Sequence, residues 1–107
     1  MENHTKVVLK GTQKRLEQSI LNYNKNAIDF KFNYEVKGNF IFAIGYSRVI
    51  MERRDVAIYR MTCVDIYNGE VFKDGNVIDY DNMYSIEDVI SRTKGYFNHY
   101  IKKLSNI

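Results

Sequence analysis

At 107 residues, with 45% hydrophobic and 27% charged side chains and a formal net charge of +3, the chain has the length and composition of one folded domain. These values exclude wholesale disorder, and no apolar run is long enough to span a bilayer. A single cysteine, Cys63, forms no internal disulfide, and the N-terminus lacks a charged-then-apolar leader, so the expected compartment is cytoplasmic.

The chain contains no proline and no tryptophan but nine tyrosines and six phenylalanines. Ile, Lys, Asn, Tyr and Phe, all read from AT-rich codons, recur throughout, which fits a low-GC genome such as those of many Gram-positive bacteria and their phages. The two terminal segments are basic and the middle is mildly acidic, an asymmetry that favours an anionic partner only weakly.

In chain order, residues 1–5 read as a loose tail. Thr12 is placed to cap a helix over about 13–23, in which Leu16, Ile20 and Tyr23 recur at helical spacing. The Asn22–Asn26 cluster should end it, because short amide side chains compete for backbone hydrogen bonds. From Ile28 to Val36, apolar and polar residues alternate strictly, the period of a strand with one face buried. A second strand over about 40–50 is apolar on both faces. A third over about 56–67 follows the charged Glu52-Arg53-Arg54-Asp55.

The Gly38-Asn39 turn admits two registers. Two turn residues pair Lys37 with Phe40 and put Phe40, Phe42, Ile44 and Tyr46 on the face of Lys31, Asn33 and Glu35. Three pair Val36 with Phe40 and gather every large side chain into one core. Exposing large apolar residues forfeits about 1.5–3 kcal/mol each, so burial favours the three-residue turn. That choice leaves Ile41, Ala43, Gly45 and Ser47 as a small-residue track on an open face.

Asn68-Gly69 is a strong type I′ hairpin signal, expected to bring Ile66 opposite Val71. Asp74-Gly75 repeats the device, with short strands near 70–73 and 76–80 and Val71 opposite Ile78. Ser85 then caps a second helix whose stripe is Ile86, Val89, Ile90, Phe97, Ile101 and Leu104. The expected fold is α+β: helix, antiparallel five-strand β-meander, helix, as one domain over 1–107 with both helices on one face of the sheet.

Chemistry is sparse. Cys63 lies mid-strand as a structural thiol, and His4, His99 and Cys63 lack metal-ligand spacing. Asp79-x-Asp81 fails the calcium-loop pattern, and no phosphate-cradling glycine motif follows a strand. The helix–meander–helix order is shared with double-stranded RNA-binding domains, but their basic entrance to the second helix is replaced here by the acidic Tyr84-Ser85-Ile86-Glu87-Asp88.

No catalytic, cofactor or metal residue is therefore assigned. The expected function is non-catalytic binding through protein–protein contact, in the setting of a phage- or mobile-element-encoded inhibitor of a host enzyme or defence system. Tyr46, Tyr59, Tyr67 and Tyr84 are the partner-binding candidates, because tyrosine buries much area while keeping a polar tip. The alternative is a nucleic-acid-binding domain using Lys10, Lys14, Arg15, Arg92, Lys94, Lys102 and Lys103 on basic helix faces. No membrane partner is expected, and a homodimer through an uncovered sheet face or edge is open.

Overall fold

The computed structural model describes residues 2–80 together with Ser91, Gly95 and His99. Helix α1 (Glu2–Tyr23) is followed by strands β1 (Ile28–Lys37), β2 (Phe40–Met51), β3 (Arg54–Asp65), β4 (Val71–Asp74) and β5 (Ile78–Tyr80). The sheet is antiparallel in the order β1-β2-β3-β4, with β5 also pairing β3. The α+β class expected from the pattern is therefore present. Ser91, Gly95 and His99 are helical and exposed; the rest of the expected second helix lies outside the described residues.

Helix α1 begins at Glu2, so its first half replaces the expected tail. The cause is a four-residue spacing: Val8, Thr12, Leu16 and Ile20 form a buried stripe that runs the length of the helix. Thr12 lies in the middle of the helix instead of capping it, and its hydroxyl donates to the Val8 carbonyl at 2.7 Å. The asparagine cluster does end the helix. Asn24 N–H donates to Ile20 O, and the Asn24 side chain then accepts from Asn26 N–H at 3.0 Å.

The first hairpin takes the two-residue turn. Lys37 pairs with Phe40, Val36 with Ile41, Tyr34 with Ala43 and Phe32 with Gly45. Gly38 has φ 58° while Asn39 stays outside the left-handed region, as a type II′ turn requires. The three-residue expectation fails because burial does not separate the registers: β2 from Ile41 to Ser47 is buried without a break, so both faces are core.

The small-residue track Ile41, Ala43, Gly45 and Ser47 therefore lies under α1, not on an open face. A Cβ added at Gly45 would stand 2.9 Å from the Leu16 Cβ and 2.9 Å from the Phe30 ring, closer than side chains tolerate. Glycine here is what lets helix and strand approach. Val8, Leu16, Ile41, Ala43 and Val64 form one cluster beneath the helix; Ile20, Val49, Val56 and Ile58 form another. On the opposite face Phe42, Ile44, Tyr46, Tyr59 and Cys63 are buried as well.

β2 and β3 are joined by Glu52-Arg53, with Met51 opposite Arg54. Both turn residues have positive φ, 50° and 67°, a type I′ turn built without glycine or asparagine. At the far end the expected Asn68-Gly69 turn is replaced by a four-residue connection over 66–69. Asp65 N–H donates to Glu70 O, and Val64, not Ile66, pairs with Val71. The Asp65 carboxylate accepts from Tyr67 N–H at 2.8 Å, an Asx turn that outcompetes the tighter hairpin.

No hairpin forms at Asp74-Gly75, and Val71 does not pair with Ile78. β4 and β5 run end to end along β3, Thr62 facing Asp74 and Tyr59 facing Ile78, with Gly75 N–H bonded to Met61 O at the break. Twelve-residue β3 is long enough to template both segments, which removes the need for a reversal.

Two stability outcomes follow. Gly45→Ala should destabilise the fold by about 1–3 kcal/mol, read as a lower urea midpoint at unchanged m-value, because the opposing Leu16 Cβ is held on the helix backbone. Replacing Glu52-Arg53 by Asn-Gly should stabilise the fold by about 1 kcal/mol, read as a higher urea midpoint, because those residues adopt left-handed φ without strain.

Candidate functional site

The densest polar constellation joins α1 to the β3–β4 edge. Asp74 accepts from Arg15 Nη1 at 2.9 Å and from Arg60 Nη2 at 2.6 Å. Arg15 Nη2 also donates to the Thr62 hydroxyl at 2.6 Å. Arg60 donates through Nε to Gly75 O at 2.8 Å and through Nη1 to the Ser19 hydroxyl. Both guanidinium groups are thus engaged by a carboxylate, two hydroxyls and a carbonyl. The cluster is a clamp that fixes helix, central strand and broken edge strand together. It also pairs Arg15, one of the expected basic residues, with Asp74 in a partly exposed ion pair that offsets its charge.

A second ion-pair group sits at the opposite end of the sheet. Arg48 makes a two-pronged contact with Asp55, at 3.2 and 2.6 Å, and reaches Asp29 at 3.5 Å. The hydrogen bond from Arg48 holds the Asp55 carboxyl below its ordinary range. Asp29 has φ 57° at the point where the β1–β2 register shifts, and this contact braces the bulge.

Cys63 is buried opposite Phe42, and loss of hydration pushes its thiol up to about 11, with Asp65 adding to the rise. A thiol so placed is protonated at neutral pH. No group of three or more His, Cys, Asp or Glu residues among the described ones is arranged to hold a metal ion. No helix among the described residues is long and apolar enough to cross a membrane.

The tyrosine candidates separate by environment. Tyr46 and Tyr59 face each other across β2 and β3 and are buried with Ile44 and Met61, so they are core residues with no surface to offer. Tyr67 is 60% exposed on the β3–β4 connection. Tyr84 lies outside the described residues.

The connection that carries Tyr67 is held from four directions. The Asp65 carboxylate accepts from Tyr67 N–H, the Asn68 side chain accepts from Glu70 N–H, and Gly69 N–H donates to Asp65 O. His4 on α1 donates its Nε2–H to the Tyr67 carbonyl at 2.7 Å. That bond places His4 in the helix and in the architecture of the turn, where a mobile tail was expected. Val71 and Phe72 on β4 are also exposed, but on opposite faces of the sheet: Val71 pairs with Val64 of the cluster under α1, while Phe72 leans on Phe40 with ring centroids 5.1 Å apart.

Of the basic candidates, Lys10 and Lys14 are exposed, and Lys6, which the sequence reading did not select, extends them at four-residue spacing along the solvent side of α1. Arg92, Lys94, Lys102 and Lys103 lie outside the described residues. Sequence reasoning also passed over Tyr34 and Val36, exposed on β1; the alternation there reads as wholly inward unless the width of α1 is known.

Compared with known proteins, the chain matches no family model, no curated protein and no solved structure.

The environment of Cys63 predicts that the native protein will not react with a thiol-specific aromatic disulfide at neutral pH. Addition of denaturant should release one equivalent of reactive thiol, measured by absorbance.

Proposed function

We propose that this chain is a small binding protein acting through protein–protein contact, with Tyr67 at the centre of the contact. The observation that carries the reading is the exposed Tyr67 ring on a turn whose backbone is fixed by the Asp65, Asn68 and His4 hydrogen bonds. A ring presented on an immobilised backbone loses little conformational freedom when a partner covers it, which favours affinity from a small surface. The setting we propose is a cytoplasmic inhibitor of a host enzyme or defence system encoded by a phage or mobile element. The size of the chain and its AT-rich residue usage support that setting.

A second reading has its own observation: the exposed Lys6, Lys10 and Lys14 ridge on α1 presents positive charge to a polyanion. The two readings respond to different substitutions. Under the first, Tyr67→Ala weakens the complex recovered from source cells at least about tenfold, while Lys10→Glu with Lys14→Glu leaves it intact. The opposite pattern, with low-salt binding to generic DNA or RNA that falls steeply with salt and disappears on charge reversal, would establish the nucleic-acid reading instead.

A further inference from the structure

Strand β1 forms one edge of the sheet, and β2 is its one neighbour among the described residues. The two-residue turn sets which backbone groups are free. With Lys37 paired to Phe40 across the turn, the N–H and C=O groups of Lys31, Asn33, Glu35 and Lys37 point toward β2. Those of Phe32, Tyr34 and Val36 point outward. Tyr34 is 51% exposed and Val36 45%, because α1 rests on β2 and β3 and does not reach over this edge. Sheet edges of this kind recruit further strands unless charge or irregularity prevents it.

The charges on β1 are arranged symmetrically about Asn33: Lys31 lies two residues before it and Glu35 two residues after. We propose that the β1 edge is a self-pairing site, at which β1 of a second copy of this chain adds antiparallel about a two-fold axis through Asn33. In that register Lys31 of each copy stands opposite Glu35 of the other, and Phe32 of each stands opposite Tyr34 of the other. The hydrogen-bonding groups of Phe32 and Tyr34, the ones left facing outward, are the ones that meet. The two-fold runs perpendicular to the sheet, so both copies of α1 stay on the same face and the sheet continues from one β4 edge to the other.

Charge selects this register over its neighbours. Moving the axis to Phe32 sets Lys31 against Asn33 and leaves no ion pair within the regular edge, and moving it to Tyr34 sets Lys31 against Lys37, like charges across strands. A shift by one residue would mismatch the two faces of the pleat. The bulge between Ile28 and Lys31 ends the regular edge, which confines pairing in this register to Lys31–Glu35. A contact of this length lies at the small end of specific interfaces, so the dimer forms and dissociates with concentration. It uses the edge opposite Tyr67 and stands independently of the heterologous contact proposed above.

Sedimentation velocity over a concentration series tests the proposal on the full chain. The native protein should show a monomer–dimer equilibrium. Lys31→Glu alone and Glu35→Lys alone should each weaken dimerisation about tenfold or more, since each turns both symmetry-related attractions into repulsions. An equimolar mixture of the two variants should recover association as a heterodimer, because the introduced glutamate then faces the introduced lysine and native Lys31 faces native Glu35. Circular dichroism checks that each variant is folded. A native protein that stays monomeric throughout, a dimer indifferent to both substitutions, or a mixture no more associated than its components would each overturn the assignment.

Discussion

The approach of Leu16 to Gly45 is the constraint on which the remaining geometry depends. A 22-residue helix can lie along β2 and β3 only where the strand beneath it lacks bulk, and β2 supplies that with Ala43 and Gly45 between Ile41 and Ser47. Once the helix is seated there, Phe30 is driven against the same glycine, and Ile20 meets Val49 and Ile58 further along. The same seating brings Arg15 and Ser19 within reach of Thr62, Arg60 and Asp74. The clamp is thus a product of the packing and in turn fixes the height of the helix above the sheet.

The division of the protein into interior and surface follows from one turn. Gly38 with φ 58° fixes Lys37 against Phe40, and from that pair onward every side chain of β1 and β2 is assigned a face. Because β2 is core on both faces, no side-chain burial is lost by either register, and the chemistry of the turn decides. Polar Lys31, Asn33 and Glu35 consequently share a face with Phe42, Ile44 and Tyr46 at its margin. The tyrosines split accordingly, with Tyr46 and Tyr59 in the interior and Tyr34 and Tyr67 outside.

What was legible in the residues, and what was not, has the same explanation. Strict alternation over Ile28 to Val36 and the double-sided apolar run over Phe40 to Ile50 located two strands to within a residue or two, because period-two patterning is a local signal. The first half of α1 was hidden by Gly11-Thr12, which reads as a helix start but lies mid-helix, held there by tertiary packing of Val8 and Thr12. Asn68-Gly69 and Asp74-Gly75 were read by short-range turn preference. In the fold, the Asp65 side chain reorganises the first, and the length of β3 straightens the second. Of the candidate site, Tyr67 was visible as a residue type. The bond from His4 that steadies its turn joins residues 63 positions apart and leaves no trace in the sequence.

The clamp between α1 and the sheet also bears on the order in which the chain becomes a protein. Arg60 meets Ser19 from 41 positions away in the chain, and Arg15 meets Asp74 from 59 positions away. The helix is therefore synthesised well before anything it rests on exists. Its apolar stripe of Val8, Leu16 and Ile20 has nothing to cover it until β2 and β3 have formed. The hairpins, by contrast, close through neighbours in the chain and carry little loop-closure cost. Among the described elements α1 thus precedes in the chain the strands that cover it, and until they have formed its stripe is exposed apolar surface that a nascent chain must keep from other contacts.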